Sequence, residues 1–336
     1  MIDTLREKIK KELVLLDGAF GTYAQSLGLS DEYFGGRAGC MEYLSISRPD
    51  FISRIHRDYL DAGSDAVETN TFGGNALKLA EYGLKGQVYD INLESARLAR
   101  AAADEFSVPS RGRYVIGSMG PTGKLPSSTD PVLGAISYAE LKNIFFEQAL
   151  GIIDGGADAL IIETGQDLLE MKAALTGAKA ALKDRRKDLV LMAQCTLANN
   201  GRMLLGTEIS AVSAVMGYLG ADVIGINCST GPVEMENVIS WLGENCPAYV
   251  SCVPNAGLPF EVDGRTEYPL APRDMADIVA RFVEKYRIDV VGGCCGTTPE
   301  HIRLIGETIE GYRKKKIYAK PFYSSFYRGF NLDDVK

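Results

Sequence analysis

The amino-acid sequence predicts an α/β protein built as a single-domain (β/α)8 TIM barrel. Three observations carry this: eight short apolar runs bounded by Gly, Pro, Asn or Ser, a longer stretch of helical spacing after each, and no Pro- or Ser-rich linker between them. Runs that are apolar throughout, without alternation, suit a parallel sheet covered on both faces. The 336 residues fit one such barrel or two ordinary domains. A doubly wound open sheet is the alternative, but no Gly-x-Gly-x-x-Gly segment follows the first run.

In chain order the predicted strands are VLLDGAF around Leu15, AVETNTF around Val67, YVIGSMG around Ile116, and ALIIETG around Ile161. VLMAQCTL around Met192, VIGINCS around Ile224, AYVSCVPN around Val250 and DVVGGCCG around Val291 complete the eight. Helical spacing predicts helices over 48–62, 88–105, 138–155, 168–182, 209–219, 233–245, 272–286 and 302–312. Ser47, ahead of Pro49 and Asp50, reads as the start signal of the first. His56 reads as a surface residue of that helix and His301 as part of the start of the last, neither as a catalytic group. The barrel is expected to span 1–317, with 318–336 an aromatic-rich tail or a linker to a following domain.

Charge narrows the function classes. Lys and Arg number 36 against 44 Asp and Glu, a net charge of −8, which argues against nucleic acid or an anionic membrane as partner. The N-terminal stretch is charged and periodic, unlike a secretory leader, and no apolar run approaches the roughly 20 residues of a membrane span. A cytoplasmic protein is the expectation, and seven cysteines, an odd number, fit reduced thiols there.

Cys40, Cys195, Cys246 and Cys252 read as small buried apolar residues. Cys228, Cys294 and Cys295 differ, because the barrel topology brings the ends of the sixth and eighth strands to one face, where catalytic groups collect. Three thiolates suit a soft or borderline metal such as Zn²⁺ and leave a fourth position open, the form of a catalytic site. So sulfur-rich a centre is a modest activator of water, but it can hold an incoming thiol as a nucleophilic thiolate. Alkyl transfer to sulfur follows as the expected reaction. For an amino-acid thiol, Asp17 and Glu163 can receive the ammonium, and backbone N–H groups around Gly18, Ala19, Phe20 and Gly21 or around 117–120 can receive the carboxylate. The plainer reading of the two acids is helix capping. Thr69, Asn70, Ser118 and Asn255 also lie at strand ends and join the candidate substrate pocket.

The segments LLDGAFGT, ETNTFGGN, GSMGPTG, IIETGQD, GINCSTGP, VPNAGLP and VVGGCCGTTPEHI, in that order, resemble the homocysteine S-methyltransferase family. The likeness is to the N-terminal homocysteine-binding barrel of the cobalamin-dependent methionine synthases in particular. It implies a zinc site on Cys228, Cys294 and Cys295, homocysteine bound through its sulfur, and Asp17 and Glu163 on the substrate amino group. Asn255 is a candidate amide-oxygen ligand when substrate is absent. It further implies methylcobalamin as methyl donor, on a corrinoid-binding domain or protein, with a folate-binding domain as a further partner. The alternatives are a free-standing enzyme using S-methylmethionine or betaine, a thiol-binding module without turnover alone, and a thiol redox protein, which the lack of Cys-x-x-Cys disfavours.

Overall fold

In the computed structural model, residues 2–262 and 265–313 are described; the expected tail at 318–336 lies outside them. The eight expected strands are all present: β1 (Val14–Leu15), β2 (Ala66–Glu68), β3 (Tyr114–Met119), β4 (Ala159–Gly165), β5 (Val190–Cys195), β6 (Val223–Asn227), β7 (Tyr249–Val253) and β10 (Val290–Val291). A short antiparallel hairpin, β8 (Phe260–Val262) with β9 (Arg265–Glu267), projects from the connection after β7. The barrel strands pair in parallel in the order β1-β10-β7-β6-β5-β4-β3-β2. Successive residues point to opposite faces, so alternate side chains form two apolar layers. Val14, Ile116, Ile161, Met192, Val223 and Val290 fill the barrel, while Leu15, Val115, Leu160, Leu191, Ile224 and Val291 pack outward against the helices.

The helices match their predicted places closely: Pro49–Asp61, Val88–Phe106, Tyr138–Asp154, Leu168–Arg185, Ile209–Tyr218, Pro232–Asn245, Pro272–Lys285 and Pro299–Arg313. Local signals explain several starts. Ser137 and Glu140 form a reciprocal capping box, Asp167 accepts from Leu169 and Glu170, and four of these helices open on Pro. Ser47 departs from expectation. It ends the short helix Leu44–Ser47 and its hydroxyl donates to the carbonyls of Tyr33 and Tyr43, while Arg48 takes the cap position without a side-chain cap bond. His56 is also corrected: it is fully buried, because helical spacing places it one turn from Ile52 and Tyr59 on the inner face. It packs beside Phe20, and burial lowers its pKa to about 4, keeping it neutral. His301 does lie at the start of the last helix. Among the described residues, no helix is long and apolar enough to cross a membrane.

The seam between β1 and β2 is closed largely by side chains. One backbone bond, Asp65 N–H to Leu15 O at 2.7 Å, is joined by Leu15 N–H to Asp65 Oδ2 at 3.0 Å and Glu68 N–H to Asp17 Oδ2 at 2.9 Å. Asp65 is fully buried, yet lies 3.1 Å from Arg111, 3.3 Å from Arg313, 3.7 Å from Lys8 and 3.9 Å from Arg113. The chain's first and last described helices thus meet one carboxylate under the barrel. Removing one member of a buried ion cluster leaves the others uncompensated, at a cost of about 3–5 kcal/mol. Asp65→Ala is therefore expected to lower the urea midpoint by a corresponding amount with little change in the slope of the transition.

Candidate metal centre

Cys228 follows β6 directly, and Cys294 and Cys295 follow β10 after Gly292 and Gly293. Their sulfurs converge: Cys228 Sγ lies 3.8 Å from Cys295 Sγ, Cys294 Sγ 3.9 Å from Cys295 Sγ, and all three fall within 4.8 Å of one another. These spacings are nearly twice a disulfide length of about 2.05 Å. A tetrahedral ion with metal–sulfur bonds of about 2.3 Å separates its sulfurs by about 3.8 Å. The thiols therefore fit a thiolate-bound ion with little rearrangement. Hydrogen bonds from Cys228 and Cys294 push the pKa of Cys295 down, while the same neighbours drive that of Cys294 well up.

The arrangement holds backbone strain. Cys228 and Ser229 both occupy the left-handed region (φ 60° and 65°), as does Thr164 beside Glu163 (φ 54°). Non-glycine residues rarely enter it, and such strain gathers at functional sites. Gly296, at φ 80°, completes the metal loop; a Cβ there would lie 2.2 Å from the Tyr268 ring. The chain after β7 runs between the cysteine loops. Asn255 N–H bonds Thr230 O, Cys294 N–H bonds Pro254 O, and Ala256 N–H bonds Cys295 O. Asn255 is buried here and its Oδ1 has no hydrogen-bond partner.

Beside the sulfurs sit the acids. Neither Asp17 nor Glu163 caps a helix. Asp17 is bonded to the Glu68 N–H, while Glu163 accepts from Ser118 Oγ at 2.5 Å and Asn227 Nδ2 at 3.1 Å. Burial raises the pKa of Glu163 to about 7 and that of Asp17 well above the usual carboxylate range. Glu68 completes the cluster, and burial with the charges of Glu163 and Asp17 raises its pKa strongly. Asn227 also ties Thr164 in place, accepting from its N–H at 2.8 Å and donating to its hydroxyl at 2.9 Å.

The other candidates divide. Gly18 is required by crowding, since a Cβ would meet Thr297 Oγ1 at 2.7 Å and the Tyr59 ring at 2.8 Å. Ala19 N–H bonds Thr297 Oγ1, and Ala19 O accepts from the Tyr59 hydroxyl. Phe20 and Gly21 stand at the N-terminus of the helix Gly21–Ser26, whose first N–H groups have no carbonyl within the helix. Thr69 bonds Thr71 and the Ser118 N–H, and the Asn70 amide donates to Met41 O and Ser45 Oγ, so both brace the β2 loop. Cys40, Cys195, Cys246 and Cys252 are buried thiols, as expected. Sequence reasoning assigned no role to Tyr268, whose ring packs against Gly296 beside the cysteine pair.

A barrel with a three-sulfur centre and a buried acid cluster at one end defines a thiol-handling class of protein. The homocysteine S-methyltransferase family model matches residues 14–309, and the chain belongs to that family. It is 41% identical over 325 residues to a methionine synthase of Mycobacterium tuberculosis, covering 96% of this chain and 27% of that protein. It is 42% identical over 305 residues to a methionine synthase of Mycobacterium leprae, covering 91% and 25%. The chain thus spans about a quarter of these relatives' length. Among solved structures, the metallated homocysteine methyltransferase MmuM from Escherichia coli shares the fold, with a TM-score of 0.72 at 22% identity over 89% of this chain and 96% of that one.

Asn227→Ala removes the amide that joins Glu163 to the Thr164 turn. The expected result is a loss of about 2 kcal/mol in denaturant unfolding, from the bonds lost and the buried partners left unsatisfied.

Proposed function

We propose that this barrel is a zinc-dependent methyltransferase that binds homocysteine, activates its sulfur at Cys228, Cys294 and Cys295, and accepts a methyl group from methylcobalamin to give methionine. The observation that carries the reading is the spacing of the three sulfurs, 3.8 Å from Cys295 to Cys228 and 3.9 Å from Cys295 to Cys294, beside buried Asp17 and Glu163. When bound, zinc supplies a soft Lewis-acid position at which a thiol gives up its proton and stays nucleophilic toward carbon.

The chain's own residues do the rest. Asp17 and Glu163, as carboxylates, accept N–H bonds from the substrate ammonium, with Ser118 and Asn227 fixing the direction of Glu163. The backbone around Gly18–Gly21 receives the carboxylate at a helix N-terminus. Asn255 offers its unpartnered amide oxygen to the centre when no substrate sulfur is present. In the transfer, a carbon–sulfur bond forms as the donor's bond to the methyl carbon breaks; the electron pair of that bond stays with the donor. The thiol proton goes to solvent. Identity above 40% to methionine synthases supports methylcobalamin, presented by a corrinoid-binding domain or protein and joined by a folate-binding domain, over betaine or S-methylmethionine.

Two experiments test this. Purified protein is expected to hold about one zinc per chain by elemental analysis, and Cys294→Ala or Cys295→Ser to lose it. Supplied with homocysteine and, in turn, methylcobalamin, S-methylmethionine or betaine, it is expected to form methionine from the first. Full zinc and full activity in both cysteine variants would overturn the proposal; methionine from only a small cationic donor would replace the donor.

A further test is a pH profile of methionine binding, a ligand without a thiol to titrate. Glu163 binds an ammonium only when ionised, and its pKa is raised to about 7 by burial. Affinity should therefore rise with pH through about 7. Glu163→Gln should weaken binding by about tenfold, near 1.4 kcal/mol, and flatten that rise.

A further inference from the structure

We infer that Thr297 is a positioning residue that sets the length of the substrate pocket: its hydroxyl fastens the loop after β1, which receives the substrate carboxylate, to the loop after β10, which meets the substrate sulfur. The fixed span selects a four-carbon amino-acid thiol over a three-carbon one. The inference rests on the proposed reading of residues 18–21 as the carboxylate site and of the loop after β10 as the sulfur site.

Thr297 is fully buried between the two loops. Its Oγ1 accepts the Ala19 N–H at 3.0 Å and donates to Cys294 O at 2.7 Å, so one hydroxyl bonds both loops. Cys294 O also accepts the Thr297 N–H at 3.1 Å, which closes the turn and aims the hydroxyl at Ala19. Two glycines make room for it. A Cβ on Gly18 would stand 2.7 Å from Thr297 Oγ1, and one on Gly293 only 2.5 Å, so a side chain at either position forces the loops apart. Other bonds hold the same junction. Tyr59, fully buried on the helix Pro49–Asp61, donates to Ala19 O at 2.7 Å and lies 3.3 Å from Thr297 O. Gly293 N–H bonds Asp17 O at 3.0 Å, and Gly296 N–H bonds Thr22 Oγ1, on the helix Gly21–Ser26, at 3.1 Å.

An amino-acid thiol held at both ends has to match the gap between the two loops. One methylene more or less changes binding by about 10- to 200-fold, but only where the gap does not adjust. The Thr297 hydroxyl supplies that stiffness, because it is used as donor and acceptor at once in a buried place. Without it the Ala19 N–H is buried and lacks its acceptor, and the loop shifts to find another.

Methionine and S-methylcysteine differ by one methylene and carry no thiol to ionise, so calorimetric titration of each into the purified chain reads the length preference directly. The wild type is expected to favour methionine by about 10- to 200-fold. Thr297→Val keeps the shape and removes the hydroxyl; the preference should fall by about fivefold, the worth of one hydrogen bond. Thr297→Ser, which keeps the hydroxyl, should preserve it. Tyr59→Phe, which loosens Ala19 from the other side, decides the matter if the valine variant folds poorly, and is expected to narrow the preference too. A ratio of two affinities does not change with the fraction of folded protein, so lost stability alone leaves it where it was. An unchanged ratio in the folded variant, an equal fall in Thr297→Ser, or a wild type that binds both ligands alike overturns the inference and leaves the proposed function standing. A wild-type chain that binds neither amino acid overturns the proposed carboxylate and sulfur sites instead.

Discussion

Like-charge crowding is the constraint around which the rest of this structure is arranged. The carboxyls of Asp17, Glu68 and Glu163 lie close enough to act on one another, with Cys295 acting on Glu163, and burial is the leading cause of the raised pKa of each acid. Among the described residues, none of the three forms a salt bridge with a lysine or arginine. Left alone, such a cluster must keep protons it would lose in water. It is relieved by cations, and two kinds suit the two halves: a soft divalent ion for the sulfurs and an ammonium for the carboxyls. A substrate with an amino group at one end and a thiol at the other joins them.

The other end of the barrel handles charge in the opposite way. Asp65, fully buried, is surrounded by Lys8, Arg111, Arg113 and Arg313 from elements far apart in the chain. The two ends share the β1–β2 seam, closed by Asp65 below and Asp17 above. The satisfied cluster braces the closure, while the unsatisfied one is the set to which the proposed function assigns the ligands. Left-handed turns at Thr164, Cys228 and Ser229 lie at the C-terminal ends of β4 and β6, where the sulfurs gather, and two more, at Arg186 and Arg287, lie ahead of β5 and β10 at the other end. A closed barrel can hold such strain where an open sheet edge would relax it.

Much of this was legible in the sequence because parallel strands are apolar throughout and are punctuated by glycine. Such punctuation marked all eight strands and set Cys228, Cys294 and Cys295 at the ends of β6 and β10. It could not tell a strand-end polar residue that faces ligand from one that braces a loop. Thr69 and Asn70 look no different in sequence from Ser118, yet they bond Thr71, Met41 and Ser45, while Ser118 bonds Glu163. His56 misled because its helix is rich in charge, although its spacing from Ile52 and Tyr59 places it inside. Tyr268 carried no signal, since its packing on Gly296 depends on how a short hairpin folds back.

Asp17 shows how tightly binding and folding are joined. One carboxyl accepts the Glu68 N–H across the barrel seam and, in the proposed function, also receives the substrate ammonium. Its ionised form serves both tasks, since a carboxylate is the better acceptor for the N–H and the only form that pairs with an ammonium. Burial opposes that form in the empty site. An arriving ammonium favours it and so strengthens the seam bond as well. Ligand binding and barrel closure therefore act in the same direction at this residue, and the energy of one reinforces the other. A site arranged in this way tightens around an amino acid and stays looser toward a thiol that lacks the amino group.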